Sequence, residues 1–209
     1  MSNQHPIRVL SADDHALLRE GIAAVINGQP DMTMIAQASS GREAIQLFRE
    51  HRPDVTLMDL RMPDISGIDA LMAILAEFTD ARIVMLTTFE GDAEIQRSLA
   101  AGARGYLLKN LPPKELVDAI RQVYAGRKWI PREIAMQLAE HIADERLTDR
   151  EIDVLQHVAG GNRNRDIAER LAISEETVKV HVKHIMEKLG ASDRTAAVSI
   201  AVRRGIIQL

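Results

Sequence analysis

Three aspartates follow or close short apolar runs in this sequence: Asp13 and Asp14 come just after the run at residues 7–10, and Asp59 closes the run at 55–58. In an open parallel sheet the carboxyl ends of the strands share one edge, so the three carboxylates can meet in one pocket. Two unit charges about 4 Å apart repel by roughly 4 kcal/mol at an effective dielectric near 20, so three together call for a cation. All-oxygen ligation favours Mg2+, which keeps several waters and takes one or two carboxylates plus a phosphate oxygen. Thr87 and Lys109 end two further runs, at 83–86 and 105–108, and bring a hydroxyl and an ammonium to the same edge. Such a set can carry a phosphoryl group on an aspartate, the carboxylate acting as nucleophile while metal and Lys109 neutralise the developing charge. Strand-end aspartates are singly more common as turn formers or helix caps, but five groups at four strand ends are poorly explained that way. His15 is read as a helix-start residue without a chemical role, and Thr88 likewise.

A second candidate lies near the other end of the chain. Val178, Val182, Ile185 and Leu189 step by 4, 3 and 4, which places them on one buried helix face. The opposite stripe carries Glu176, Lys179, Val180 and Lys183, with His184 and Lys188 to one side. Most helices of that pattern are simply solvated. Here a short helix over residues 165–171 precedes it, and Ala172-Ile173-Ser174 connects the two with an N-cap serine. A short helix, a tight turn and a long basic helix have the form of a helix-turn-helix reader.

The elements that position these groups follow from periodicity. Apolar runs at residues 7–10, 32–38, 55–58, 83–86 and 105–108 read as strands, those at 55–58 and 83–86 being covered on both faces. Helical stretches at 16–26, after Ser40-Gly41-Arg42-Glu43, and near 68–78, 93–101 and 114–124 alternate with them. Five such units make an α/β doubly wound parallel sheet of flavodoxin-like order. Residues 126–146 read as a linker holding one helix over 131–143. Beyond it every segment is helical: a capping box at Thr148-Asp149-Arg150-Glu151, then helices at about 165–171, 174–189 and 196–203. The expected division is therefore residues 1–125, 126–146 and 147–209.

The 209 residues are 46% hydrophobic and 27% charged, enough for two packed cores and against disorder. No apolar stretch approaches the roughly 20 residues of a membrane span, and the chain has no cysteine, so a cytoplasmic protein without disulfides is expected. Up to Tyr124 there are 12 basic against 17 acidic residues, a net of −5, whereas residues 147–209 carry 10 against 9, a net of +1. A polyanion would be bound by the back half.

The first half resembles the receiver domain of two-component response regulators over residues 7–125. The resemblance is carried by Asp13-Asp14, Asp59, Thr87, the run Gly105-Tyr106-Leu107-Leu108-Lys109 and the loop Met62-Pro63-Asp64-Ile65-Ser66-Gly67. It implies that Asp59 is the phosphoacceptor and that Asp13, Asp14, Asp59 and the backbone carbonyl of Arg61 hold Mg2+, with Mn2+ as an alternative ion. Thr87 and Tyr106 become a switch pair, Tyr106 turning inward once phosphate is bound, and Lys109 the ion pair of the phosphate. Arg61 and Phe89, two positions beyond Asp59 and Thr87, are implied to control water access. Such domains often have a cis proline after this lysine; Asn110 stands there instead, and a cis bond to a non-proline residue costs about 2.5–4 kcal/mol.

Residues 147–209 are similar to the DNA-binding domain of the LuxR/NarL family. The matching residues are Leu147-Thr148-Asp149-Arg150-Glu151, Asn164-Arg165-Asp166-Ile167-Ala168, Thr177-Val178-Lys179-Val180-His181-Val182 and Lys188-Leu189-Gly190-Ala191. The resemblance implies base-edge contacts from Lys179, Val180 and Lys183, and phosphate contacts from Arg163, Asn164, Arg165 and Thr177. Asn162-Arg163 replace the family's usual apolar residue and Ser or Thr, adding a charge beside the DNA backbone.

Together the halves resemble a NarL/FixJ-type response regulator. A sensor histidine kinase would phosphorylate Asp59, and the chain would respond by forming a homodimer that binds double-stranded DNA, with RNA polymerase as a further candidate partner and no membrane association. It would not be a turnover enzyme for an external substrate, although autodephosphorylation fits. Three other readings are weaker. A haloacid-dehalogenase-type phosphatase needs a second aspartate two residues after the first, where Arg61 stands. An apolar ligand sensor suits neither the acidic strand ends nor an aromatic content of 3%. A regulator with a vestigial pocket would have the same sequence features and fail to take up phosphate.

Overall fold

The computed structural model describes residues 5–88, 92–132, 134–136 and 146–207, and two compact units divide them. The first alternates β1 (Ile7–Ala12), α1 (Ala16–Asn27), β2 (Met32–Ala38), α2 (Gly41–His51), β3 (Val55–Asp59), α3 (Gly67–Glu77), β4 (Ile83–Thr87), α4 (Asp92–Ala100), β5 (Gly105–Leu108) and α5 (Pro113–Tyr124). All strand pairs are parallel and the order is β2-β1-β3-β4-β5. Chain direction across the sheet reverses between β1 and β3, which opens a crevice at their carboxyl ends. β3 and β4 are buried at every residue, the polar Thr56, Asp59 and Thr87 included, as suits central strands covered on both faces. Val9, Leu57, Val84, Leu86 and Leu107 form a core with Ile22, Ile26, Leu116 and Ile120 of α1 and α5.

Helices α2 and α3 begin at serine caps. Ser40 accepts from the Glu43 amide at α2, but the reciprocal arm of the expected box is displaced by one residue: the Glu43 carboxylate takes the amide and hydroxyl of Ser39 (2.7 Å each). Ser66 caps α3 through the Asp69 amide.

The second unit holds α6 (Asp149–Ala159), α7 (Asn164–Leu171), α8 (Glu175–Leu189) and α9 (Arg194–Arg203) around Val154, Leu155, Ile167, Val178, Ile185, Ala197 and Ala201. At α6 both arms of the capping box form, Thr148 with Glu151. Ala172 takes the left-handed conformation (φ 52°) in the turn before α8, whose N-cap is Ser174. Of the stretch read as a linker, Trp129 is not free but pairs with Gly105 at the edge of β5. Arg132 and residues 134–136 are helical; residue 133 and residues 137–143 of the expected helix, and Phe89, lie outside the described residues.

Candidate functional site

At the crevice beyond β1 and β3, Asp13 is fully buried and Asp59 nearly so, while Asp14 stands on the rim. Lys109, just past β5, places Nζ between the two buried carboxylates, 2.7 Å from Asp13 Oδ2 and 2.8 Å from Asp59 Oδ2. Its backbone amide donates to the Thr87 carbonyl at 2.7 Å, which fixes the side chain's starting point. The structure thus brings Asp13, Asp14, Asp59, Thr87 and Lys109 to one edge. No cis peptide bond occurs among the described residues, so Lys109 reaches the pocket from a trans bond to Asn110.

Burial pushes the Asp59 carboxyl above its ordinary value; the Lys109 ammonium opposes this and the Asp13 charge adds to it. Burial would lower the Lys109 ammonium, but the two carboxylates outweigh it and hold the proton more tightly. Three carboxylates against one ammonium leave the pocket two charges negative. Potential ligand atoms of Asp13, Asp14, His15 and Asp59 all lie within 4.8 Å of one another. Charge and donor set both fit a hard divalent cation.

The surrounding loops hold these groups in place. The Arg61 amide donates to Asp59 Oδ1 at 3.3 Å, which puts that peptide at the pocket wall. A Cβ on Gly67 would fall 1.9 Å from the Asp59 carbonyl oxygen, so only glycine lets α3 start this close to the end of β3. Asp64 accepts from the amides of Gly41 and Arg42 (2.9 Å each), tying the loop after β3 to the first turn of α2. Against the upward push of burial, the amides of Arg42, Ile65 and Gly41 hold its carboxyl well below the usual range.

Thr87 is buried at the end of β4. Tyr106 pairs in register with Met85, so Tyr106 and Thr87 project from one face of the sheet. Tyr106 is fully enclosed, so the inward turn expected on phosphorylation is not needed from this state. His15 is closer to the chemistry than its sequence position suggested. Its Nδ1 lies 2.7 Å from Asp14 Oδ1 and 3.2 Å from Asp13 Oδ1, and its amide donates to Asp13 Oδ1 (2.9 Å). The Asp-Asp-His order, with a donor two residues after a buried carboxylate, was the available signal.

In the second unit, Val178 and Ile185 of α8 are buried, whereas Glu176, Lys179, Val180 and Lys183 are exposed, Val180 by 46%. Three cations of this surface have a carboxylate on their own helix: Lys179 with Glu176 (3.2 Å), Lys183 with Glu187 (3.6 Å) and Arg165 with Glu169 (3.3 Å). Arg163 is exposed before α7, its amide accepted by Asp166 (3.2 Å). Asn164 is half-buried, and Thr177 is held at the Ser174 cap (2.8 Å between hydroxyls). Lys188 does not join the outward stripe: it pairs with Glu151 (2.9 Å) and the Arg146 carbonyl (3.2 Å).

Residues 9–121 match the response regulator receiver domain family, and residues 145–201 match the luxR family of bacterial regulatory proteins. An uncharacterized transcriptional regulatory protein of Bacillus subtilis strain 168, YxjL, is 44% identical over 99% of this chain and 100% of its own length. RcsB of Salmonella enterica serovar Typhimurium, solved bound to promoter P1flhDC in the presence of the phosphomimetic BeF3-, superposes with a TM-score of 0.74 at 26% identity, covering 94% of this chain and 98% of that one. A structure of two RcsB dimers bound to two parallel DNAs gives 0.72 at 25% identity over 95% of this chain and 99% of that one.

Proposed function

This chain belongs to the two-component response regulators that join a receiver domain to a LuxR-type DNA-binding domain, and on that premise we propose that phosphorylation of Asp59 by a sensor histidine kinase switches its dimerisation and its sequence-specific DNA binding. One observation carries the reading: a single ammonium, Lys109, lies between two buried carboxylates in a pocket left two charges negative. An Asp59 oxygen attacks the phosphorus of a phosphohistidine, an O–P bond forms as the N–P bond breaks, and the leaving imidazole takes up a proton. Asp13, Asp14, Asp59 and the Arg61 carbonyl are the groups that would hold Mg2+ or Mn2+, which when bound neutralises charge on the transferring phosphoryl oxygens. Lys109 then pairs with the phosphoryl group, and Thr87 supplies a hydroxyl from β4. His15, held on Asp13 and Asp14, keeps the rim carboxylate oriented toward the cluster.

A docking place for the kinase is supported beside the pocket. Leu17 is 84% exposed on α1, next to an apolar groove of about 210 Å³ between α1 and α5, lined by Leu18, Ile22, Val25, Leu111 and the stem of Lys109. For DNA, the exposed stripe of Lys179, Val180 and Lys183 suits base edges in a major groove, and Arg163, Asn164, Arg165 and Thr177 suit the flanking phosphates. The RcsB dimers on DNA support a two-fold arrangement for this chain. The functional boundaries follow the halves, with residues 1–125 as receiver and 147–209 as reader.

The test is an intact-mass measurement after acetyl phosphate and Mg2+. Wild-type chain gains one phosphoryl group and Asp59→Asn gains none. A wild-type chain that gains none defeats the proposal.

A further inference from the structure

The segment after α5 makes a connection that phosphoryl capture does not use. Gly126 (φ 82°) follows α5, and Trp129 then runs parallel to the free edge of β5. The Trp129 amide donates to the Arg104 carbonyl (3.0 Å) and the Tyr106 amide donates to the Trp129 carbonyl (2.9 Å), which makes one rung of sheet around Gly105. A Cβ on Gly105 would stand 3.1 Å from the Trp129 carbonyl oxygen and 3.3 Å from both Val84 methyl groups, so glycine permits the approach. The indole packs against the core shared by the sheet, α1 and α5. Its Nε1–H is nevertheless enclosed with no acceptor among the described residues. A buried donor without a partner makes a seat that is easily vacated, because leaving it restores a hydrogen bond to water.

β5 spans four residues, with this rung at one end and Lys109 just beyond the other. All four of its residues pair in register with β4, so the rung and Lys109 sit at the two ends of one short stretch of backbone. Lys109 is the group whose partners change when Asp59 is phosphorylated, because a phosphoryl group bonded to a carboxylate oxygen brings its own oxygens beside Nζ.

We infer that β5 acts as a rod between the pocket and the linker: phosphorylation of Asp59 draws Lys109 forward, shifts β5 along its axis and releases Trp129 from its rung. The rod thereby passes the state of the pocket to residues 126–132 through the backbone at Tyr106, independently of where the tyrosine ring points. This rests on Asp59 being the phosphoacceptor.

Trp129 is the single tryptophan of the chain, so its emission reports the rung in the intact protein. Full-length protein is treated with acetyl phosphate and Mg2+; intact mass gives the phosphorylated fraction, and emission, acrylamide quenching and amide exchange are then read on the same sample. The expected result is a shift of emission to longer wavelength, stronger quenching, and faster exchange at both Tyr106 and Trp129, in proportion to the phosphorylated fraction. Gly105→Ala should take up phosphate yet show the shifted emission beforehand, with no further change on treatment. A wild-type chain that gains phosphoryl mass while emission and exchange stay constant, or become more protected, overturns the rod. A chain that gains no mass overturns the phosphoacceptor reading and the rod with it. The exchange measurement on wild-type chain decides the matter even if Gly105→Ala does not fold.

Discussion

Lys188 Nζ donates to Glu151 Oε2 at 2.9 Å across 37 positions of chain, tying the last turn of α8 to the first turn of α6. Both side chains are largely buried. Burial pushes the Glu151 carboxyl up, but Lys188 and the amide and hydroxyl of Thr148 outweigh it and hold the carboxyl below its ordinary 4.5. A carboxyl whose folded value is depressed contributes stability that is complete above its unfolded value and is lost as pH falls through the folded one. The second unit should therefore weaken progressively below about pH 4.5. Lys188→Met, which strands the carboxylate, should cost about 3 kcal/mol at neutral pH in urea unfolding. An unchanged midpoint would show the pair to be dispensable.

Lys109→Gln removes the cation between Asp13 and Asp59. Phosphoryl uptake from acetyl phosphate should slow by about 100-fold, the usual size of losing one charge-stabilising group. Asp59→Asn should abolish uptake and yet stabilise the fold at neutral pH. The Asp59 carboxyl is raised by burial, so its ionisation destabilises the folded state as pH rises, and a neutral amide escapes that cost. Thermal unfolding of both variants reads the sign directly.

Gly67→Ala drives a methyl group into the Asp59 carbonyl oxygen. Because the obstacle is backbone, the end of β3 or the start of α3 must move. A loss of about 3 kcal/mol, at the upper end of overpacking effects, should accompany impaired phosphoryl uptake. Retention of both full stability and full uptake would refute the close-approach role.

Lys183→Ala should weaken binding to a selected operator by about 1–3 kcal/mol and relax preference at one base position. Arg165→Ala should weaken binding to every sequence alike and reduce the salt slope by about one unit. Filter binding across a salt series separates the two. A sequence-selective effect of Arg165 would contradict its phosphate assignment.

Leu17→Asp places a charge on the exposed surface of α1 without altering the carboxylates. Transfer from a phosphorylated sensor kinase should drop while uptake from acetyl phosphate stays at the wild-type rate. Equal effects on both donors would locate the kinase's contact elsewhere.

Much of this protein is written locally. The mainly apolar runs of β3 and β4, the 4-3-4 spacing of α8, and the caps Thr148 and Ser174 each depend on neighbours within a turn or a strand, so periodicity and side-chain chemistry reveal them. The three aspartates, Thr87 and Lys109 were legible as strand-end groups for the same reason. What stayed hidden spans long stretches of chain. Lys109 bridging Asp13 and Asp59, Asp64 capping α2 from 23 residues away, Glu151 claiming Lys188, and Trp129 adding a rung beside Tyr106 have no local signature. The Glu43 arm landing on Ser39 rather than Ser40 was likewise not legible in the capping-box pattern. Sequence alone determined which segments are strands and helices, because those choices rest on short-range sterics and the alternation of apolar residues. Tertiary structure alone decided which charges face one another, because Coulomb energy and hydrogen bonding depend on distances of a few ångströms that only the strand order and the helix packing set.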